Sequence, residues 1–275
     1  MKMNIEKISR RRFVSRVFSA LGICLLALAL LPVGGYAGET SPSPKPLRIL
    51  FIGNSFTYVN MLPEMIRQMS LAAGEPRPAQ YRMIAPGGCT LEKHWNDGVA
   101  AKAIAEGGWD YVVLQEQSGR PISDPASLFR FARLFDQQVR KTGAKTLFYV
   151  TWPRKRAPDQ QKQITAAYSA IAKELGALSC PVGPAWADLL KKRPDLELYQ
   201  PDGIHPSPAG TYIGACVFYD VLYGKSPVGM PGRLVAKDDN NVIKTLVDLS
   251  KTDASLLQQT AVETLKEWEG GGTPP

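Results

Sequence analysis

Leu47-Arg48-Ile49-Leu50-Phe51-Ile52-Gly53-Asn54-Ser55-Phe56-Thr57 is the stretch that decides how this chain folds. Its first six residues are apolar apart from Arg48, and the run stops at a glycine followed by polar residues. An apolar run of that length without alternation is the pattern of a strand buried on both faces. Similar runs recur at Gln80–Ile84, Tyr111–Leu114 and Thr146–Thr151, with a fifth near Leu178–Val182. Between them lie amphipathic stretches at Leu62–Ala73, Leu91–Ala105, Ser127–Lys141 and Gln160–Leu175. In the last of these, Ile164, Tyr168, Ile171 and Leu175 fall three or four apart, the helical period. Strands alternating with helices of this length predict an α/β fold with a central parallel sheet of about five strands, covered on both faces. Two more helices are predicted at Pro208–Leu222 and Val242–Trp268, the latter with a break near Asp253.

The ends of the chain read differently. Residues 1–37 have the form of an export signal: six basic residues from Lys2 to Arg16, an apolar run from Val17 to Val33, then Gly35-Tyr36-Ala37 for cleavage. Ser9-Arg10-Arg11-Arg12-Phe13-Val14 resembles a twin-arginine signal, which implies the twin-arginine export machinery as a partner. The expected location is periplasmic or secreted, with membrane contact only during export. A Pro/Ser linker follows at 38–46. A single α/β domain is expected at 47–224, a helical extension at 225–269 and a loose tail at 270–275. The signal holds six of the 33 basic residues and one of the 25 acidic ones, so the net charge falls from +8 to +3 on its removal. That small excess and the lack of a basic stripe exclude nucleic acid as the partner. Cys89, Cys180 and Cys216 remain, at wide spacings and without a C-x-x-C pair, which reads as buried thiols and no metal site.

Three islands are polar or glycine-rich where the fold pattern requires neither. In an open parallel sheet, ligands bind at the carboxyl ends of the strands. Gly53-Asn54-Ser55-Phe56-Thr57 leaves the first strand there, and a following helix would aim backbone N–H groups at an anion. The alternative is a simple turn capped by Asn54 or Ser55. Asp202-Gly203-Ile204-His205-Pro206-Ser207 places an acid three residues before a histidine in a loop. A serine hydroxyl needs a base near neutral pH, and an acid beside the imidazole fixes its tautomer. The only other histidine, His94, lies in a helical stretch with Trp95 and reads as structural or substrate-lining. The third island is split between Pro86-Gly87-Gly88-Cys89-Thr90 and Gln115-Glu116-Gln117-Ser118. A glycine N–H and a side-chain amide are suitable donors to the oxyanion of acyl transfer.

Together these blocks resemble the SGNH branch of the GDSL hydrolase superfamily, over about Leu47–Gly224. Asn54 stands where the family usually has Asp, and Gly88 matches the glycine block. Asp202-x-x-His205-Pro206 is a close match to the histidine block. The usual Gly-x-Asn-Asp is replaced by Gln115-Glu116-Gln117. The resemblance implies a three-layer flavodoxin-like fold and cofactor-free ester hydrolysis. Ser55 would be nucleophile, His205 base and Asp202 its orienting acid. The oxyanion donors would be the N–H of Ser55 and Gly88 and the Gln117 amide, with Gln115 as the rival. Asn54, His94, Trp95 and Trp152 would line the substrate. Trp95, Trp152 and Trp186 lean towards an acylated carbohydrate, since aromatic faces stack on sugar rings; core packing is their alternative. Other readings keep the site for a lysophospholipid or thioester, or make the chain a polysaccharide-binding protein with a relic site.

Overall fold

The computed structural model describes residues 44–238 and 240–269. The export signal at 1–37, most of the 38–46 linker and the 270–275 tail lie outside the described residues. The chain runs β1 (Leu47–Ile52), α1 (Ser55–Tyr58), α2 (Leu62–Ala72), β2 (Ala79–Ile84), α3 (Leu91–Asp97), α4 (Val99–Ala105) and β3 (Tyr111–Leu114). It continues through α5 (Arg120–Ser123), α6 (Pro125–Lys141), β4 (Lys145–Tyr149), α7 (Gln161–Leu175), β5 (Leu178–Cys180), α8 (Val182–Lys192) and α9 (Pro208–Tyr223). It ends in β6 (Arg233–Lys237), β7 (Ile243–Asp248) and α10 (Lys251–Glu269).

The five parallel strands lie in the order β2-β1-β3-β4-β5. This is the doubly wound order, with its switch point between β1 and β3. Successive side chains of β1 point to opposite faces: Ile49 and Phe51 enter one core, Leu50 and Ile52 the other. The first core is closed by α2, α8, α9 and α10, the second by α3, α4, α6 and α7. Three layers result, as the apolar runs require.

Several elements depart from the sequence expectation, each for a local reason. The helix expected over Leu91–Ala105 is two helices, because Gly98 adopts φ +72° and ends the first. Helix α8 has no counterpart in the prediction, since Gly183-Pro184 reads as a breaker. Proline sits in its first turn, where the N–H has no partner within the helix and its loss costs little. The largest correction falls on the C-terminal extension, which is not wholly helical. Residues Val242–Trp268 divide into strand β7 and helix α10, and β7 pairs antiparallel with β6. β-branched Ile243 and Val247 suit that strand. The helix begins only where the Ser250 hydroxyl caps the N–H of Asp253, at 3.0 Å. Nor is this region separate: Leu234, Leu246, Leu257, Ala261 and Leu265 are buried in the same core as β1 and α9.

Candidate active site

The carboxyl ends of β1, β2, β3 and β4 bring the islands to one mouth. Gly53 leaves β1 with almost no room: a Cβ there would lie 2.5 Å from Thr57 Oγ1 and 2.6 Å from Gln115 Oε1. Only glycine lets the chain turn so close to β3. Asn54 then caps α1 by accepting the N–H of Phe56 at 3.1 Å. Its Nδ2 donates to the Cys89 carbonyl at 3.0 Å, tying the serine loop to the glycine loop. An aspartate could accept the first bond but could not donate the second. Asparagine therefore suits a chain whose glycine loop must be held from beneath. Ser55, the first residue of α1, is left half-buried at the mouth.

The second loop reaches Ser55 across 150 residues. His205 Nε2 lies 2.9 Å from Ser55 Oγ, and His205 Nδ1 lies 2.5 Å from Asp202 Oδ2. The other carboxylate oxygen of Asp202 accepts the N–H groups of Ile204 and His205, at 2.9 and 3.0 Å. The hydrogen bond from His205, followed by these backbone donors, lowers the Asp202 pKa to about 2. The loop is fixed from outside as well. Trp152 Nε1 donates to the Ile204 carbonyl at 3.1 Å, and Gln200 N donates to the His205 carbonyl at 2.8 Å. Asn60 Nδ2 donates to the carbonyl of Pro206 at 2.8 Å, so the serine and histidine segments are clasped directly.

Ser55, Gly88, Gln117 and His205 line one cavity of about 350 Å³. Gly88 turns there with φ +65°, and neither its N–H nor that of Ser55 has a partner among the described residues. Gln117 faces the same cavity, its Oε1 accepting the Gly119 N–H at 2.8 Å and its amide nitrogen 3.4 Å from Ser118 Oγ. Gln115, the rival donor, is fully buried beneath. Its Oε1 accepts from Asn54 N at 2.9 Å and Thr57 Oγ1 at 3.1 Å, and its amide nitrogen donates to the Glu116 carbonyl. It holds the serine loop and is not on the cavity.

Three predicted substrate-lining side chains are elsewhere. His94 is buried below the serine loop and donates Nε2–H to the Gly53 carbonyl at 2.7 Å. Burial lowers its pKa, which keeps the ring neutral and leaves Nε2 its proton. Trp95 packs edge-on against Phe135 in the second core. Trp152 is buried in an aromatic column, stacked on Phe56 at 4.5 Å and on Trp186 at 4.0 Å. Large flat rings bury more area in a core than on a cavity wall, and these took that place. Asn54 does line the cavity, with its polar atoms already engaged. The sequence reading missed Tyr58, which is 40% exposed on the lip, and Arg154 and Ile204. Tyr58 could have been found, since it follows Ser55 by three residues on the first turn of α1. Arg154 could not, because nothing in its own segment says which strand end it faces.

Beneath the mouth lies a carboxyl group that no motif singled out as functional. Glu116 is fully buried, and one oxygen accepts the N–H groups of Leu91 and Gln117 at 3.2 and 2.7 Å. Its other oxygen has no partner among the described residues. Desolvation raises its pKa to about 7 against those two bonds. Among the described residues the cysteines Cys89, Cys180 and Cys216 are buried free thiols, and burial raises the pKa of each, so none of them is poised to react. Among the described residues no cluster of His, Cys, Asp or Glu could hold a metal ion. A larger cavity of about 1000 Å³ lies at the β5 edge, away from all of these groups.

No protein-family model and no curated protein matches the sequence. Solved structures do. A candidate SGNH hydrolase from Slackia heliotrinireducens is 29% identical, with TM-score 0.56, over 64% of this chain and 99% of that one. A DUF4886 family protein from Bacteroides uniformis is 18% identical, with TM-score 0.62, over 81% of this chain and 95% of that one. A variant of an acetyl-xylooligosaccharide esterase from Geobacillus is 15% identical, with TM-score 0.52, over 66% of this chain and 96% of that one. The class defined by this fold and mouth is the three-layer α/β hydrolase with its serine after the first strand. Its five-stranded parallel sheet and flanking helices are the fold of the SGNH/GDSL hydrolases, to which this chain is similar.

Proposed function

We propose that the protein is a serine esterase that removes small acyl groups, acetyl foremost, from carbohydrate through an acyl-enzyme on Ser55. The observation that carries this is the hydrogen-bonded line from Ser55 Oγ through His205 to Asp202, opening on a cavity that also holds Gly88 and Gln117. Ser55 Oγ attacks the acyl carbon as His205 Nε2 takes its proton. The developing oxyanion sits against the N–H groups of Ser55 and Gly88 and the Gln117 amide. His205 then returns the proton to the departing alcohol. Water, deprotonated by His205, attacks the acyl carbon and releases the acid and free Ser55. Asp202, ionised throughout, stabilises the imidazolium without taking its proton.

The small acyl group is favoured because the cavity's apolar side chains are few: Phe56, Tyr58 and Ile204. A long acyl chain would need a continuous apolar channel. The exposed ring of Tyr58 at the lip gives a sugar a face on which to stack. We also propose that the protein works outside the cytoplasm after export through the twin-arginine route and cleavage near Ala37. N-terminal sequencing of the exported protein tests that, and an intact Met1 there would defeat it. The test of the activity is a turnover screen on acetyl, butyryl and long-chain esters, with Ser55→Ala as control. Acetyl esters should be turned over fastest. Turnover that survives in Ser55→Ala, or that rises with chain length, would overturn the reading.

A further inference from the structure

Next to the active-site cavity is a second one of about 310 Å³, and Arg154 and Ile204 line both. The second cavity is lined by three cations, Arg154, Lys155 and Arg156, and by one acid, Asp202. That acid is already engaged by His205 and two backbone N–H groups. Lys155 is paired with Glu197 at 2.7 Å. Arg154 and Arg156 have no side-chain hydrogen bond, ion pair or aromatic partner among the described residues. Every other described arginine has one: Arg67, Arg77, Arg82, Arg120, Arg133, Arg140, Arg193 and Arg233 hold carboxylates. Arg48 lies over Trp109 and Arg130 over Phe131. Among the described residues, guanidinium groups are thus paired everywhere except at these two arginines.

The backbone that carries these two arginines is set in place. Tyr199 Oη donates to the Pro153 carbonyl at 3.0 Å, and Lys155 N donates to the Gly203 carbonyl at 2.9 Å. Ala157 N closes the turn on the Arg154 carbonyl at 2.9 Å. Two unpartnered guanidinium groups held on such a turn, with no free acid in either cavity, make a concave positive field. A guanidinium is also the side chain that binds planar or tetrahedral oxyanions in a two-pronged way.

We infer that Arg154, backed by Arg156, is an anion subsite that selects esters carrying a negative charge on the alcohol side. This rests on the esterase reading given above, because an acetyl group carries no charge of its own and leaves only the alcohol to bear one. The substrate class is an acylated acidic carbohydrate. Its carboxylate, sulfate or phosphate lies within a few ångströms of the ester and reaches Arg154 when the acyl carbon is at Ser55.

The test compares the purified protein on acetylated methyl glucuronide and acetylated methyl glucoside, which share the acetyl group and differ in the carboxylate. A sulfated acetyl sugar and acetyl glycerophosphate form two further arms, and the preferred anion identifies the source. The wild type should favour the best anionic ester over the neutral one by roughly tenfold in kcat/KM, the scale of one charge-assisted contact. That preference should shrink with added salt and fall to near unity in Arg154→Gln, with Arg156→Gln intermediate. A wild type with no preference for any anion, or an Arg154→Gln variant that keeps the preference, would overturn the subsite. Ser55→Ala protein titrated with methyl glucuronide and methyl glucoside gives a second measurement that needs no turnover. Tighter binding of the glucuronide that Arg154→Gln abolishes supports the subsite even if the esterase reading fails, and equal binding of the two sugars overturns it.

Discussion

Two polar clusters sit one above the other at the carboxyl end of the sheet, and they are built in opposite ways. The upper one, Ser55, Asp202 and His205, rides on loops and opens on a cavity; the His205 and Asp202 side chains are 30% and 42% exposed. The lower one, His94, Gln115 and Glu116, is buried, and its side chains bond mainly to the backbone of the loops above. The upper groups are open to solvent and to whatever enters the cavity. The lower groups are held where a lost bond cannot be replaced by water, so they set loop geometry instead. Both kinds of group look alike in a sequence. Removing them should have different consequences: rate for the upper cluster, stability for the lower.

The sharpest break between the clusters is the histidine pair. His205→Ala should lower kcat by several orders of magnitude, whereas His94→Ala should leave most of it. Groups that act as one unit are strongly non-additive, so Ser55→Ala with His205→Ala should be scarcely worse than either alone. Steady-state kinetics of the four variants decides this, and a dead His94→Ala with an active His205→Ala would reverse the assignment.

The two glutamines come next. Gln117→Ala should lower kcat by roughly 10²–10³ with little change in stability, the usual effect of losing one oxyanion donor. Gln115→Ala should instead cost about 1–3 kcal/mol, because the N–H of Asn54 and the hydroxyl of Thr57 would be left buried without their acceptor. Kinetics and urea unfolding on both variants should give crossed results. Matching results would mean that the two glutamines do not differ in role.

Glu116 sharpens the comparison through pH. Its pKa rises from 4.5 to about 7 on folding, because burial disfavours the carboxylate. Between those values the folded protein holds the proton more tightly than the unfolded chain. This group's effect on stability is therefore neutral below pH 4.5 and increasingly unfavourable as pH rises through 7. The full difference is about 3 kcal/mol. Glu116→Gln lacks this titration, so its stability relative to wild type should improve by that order between pH 4.5 and 8. A stability difference that stays flat across that range would remove the buried carboxyl from the account.

The smallest expected effect is that of His94 on stability. Losing it strands the Gly53 carbonyl, at a cost of about 1–3 kcal/mol. Thermal unfolding of His94→Ala checks this, and an unchanged midpoint would place that carbonyl in contact with water.

The sequence by itself determined the alternation of strands and helices, because local periodicity reports which faces must be buried. It also singled out Ser55, Asp202 and His205. The acid and the histidine are three residues apart in a loop marked by Gly203 and Pro206, and only two histidines exist to choose between. What it could not determine was direction. Gln115 and Gln117 share the parity of one strand face, yet β3 ends at Leu114 and the chain turns, so one is buried and the other meets the cavity. Trp152 and His94 were drawn into the core by partners from distant segments, Phe56 and Trp186 for one and Gly53 for the other. Strand β7 formed where a helix was expected, because it could pair with β6. Arg154 came to the cavity through the backbone bond that Lys155 N makes to the Gly203 carbonyl of the histidine loop, some fifty residues on. In each case the deciding energy is a contact between segments far apart in sequence, and a local pattern carries no record of it.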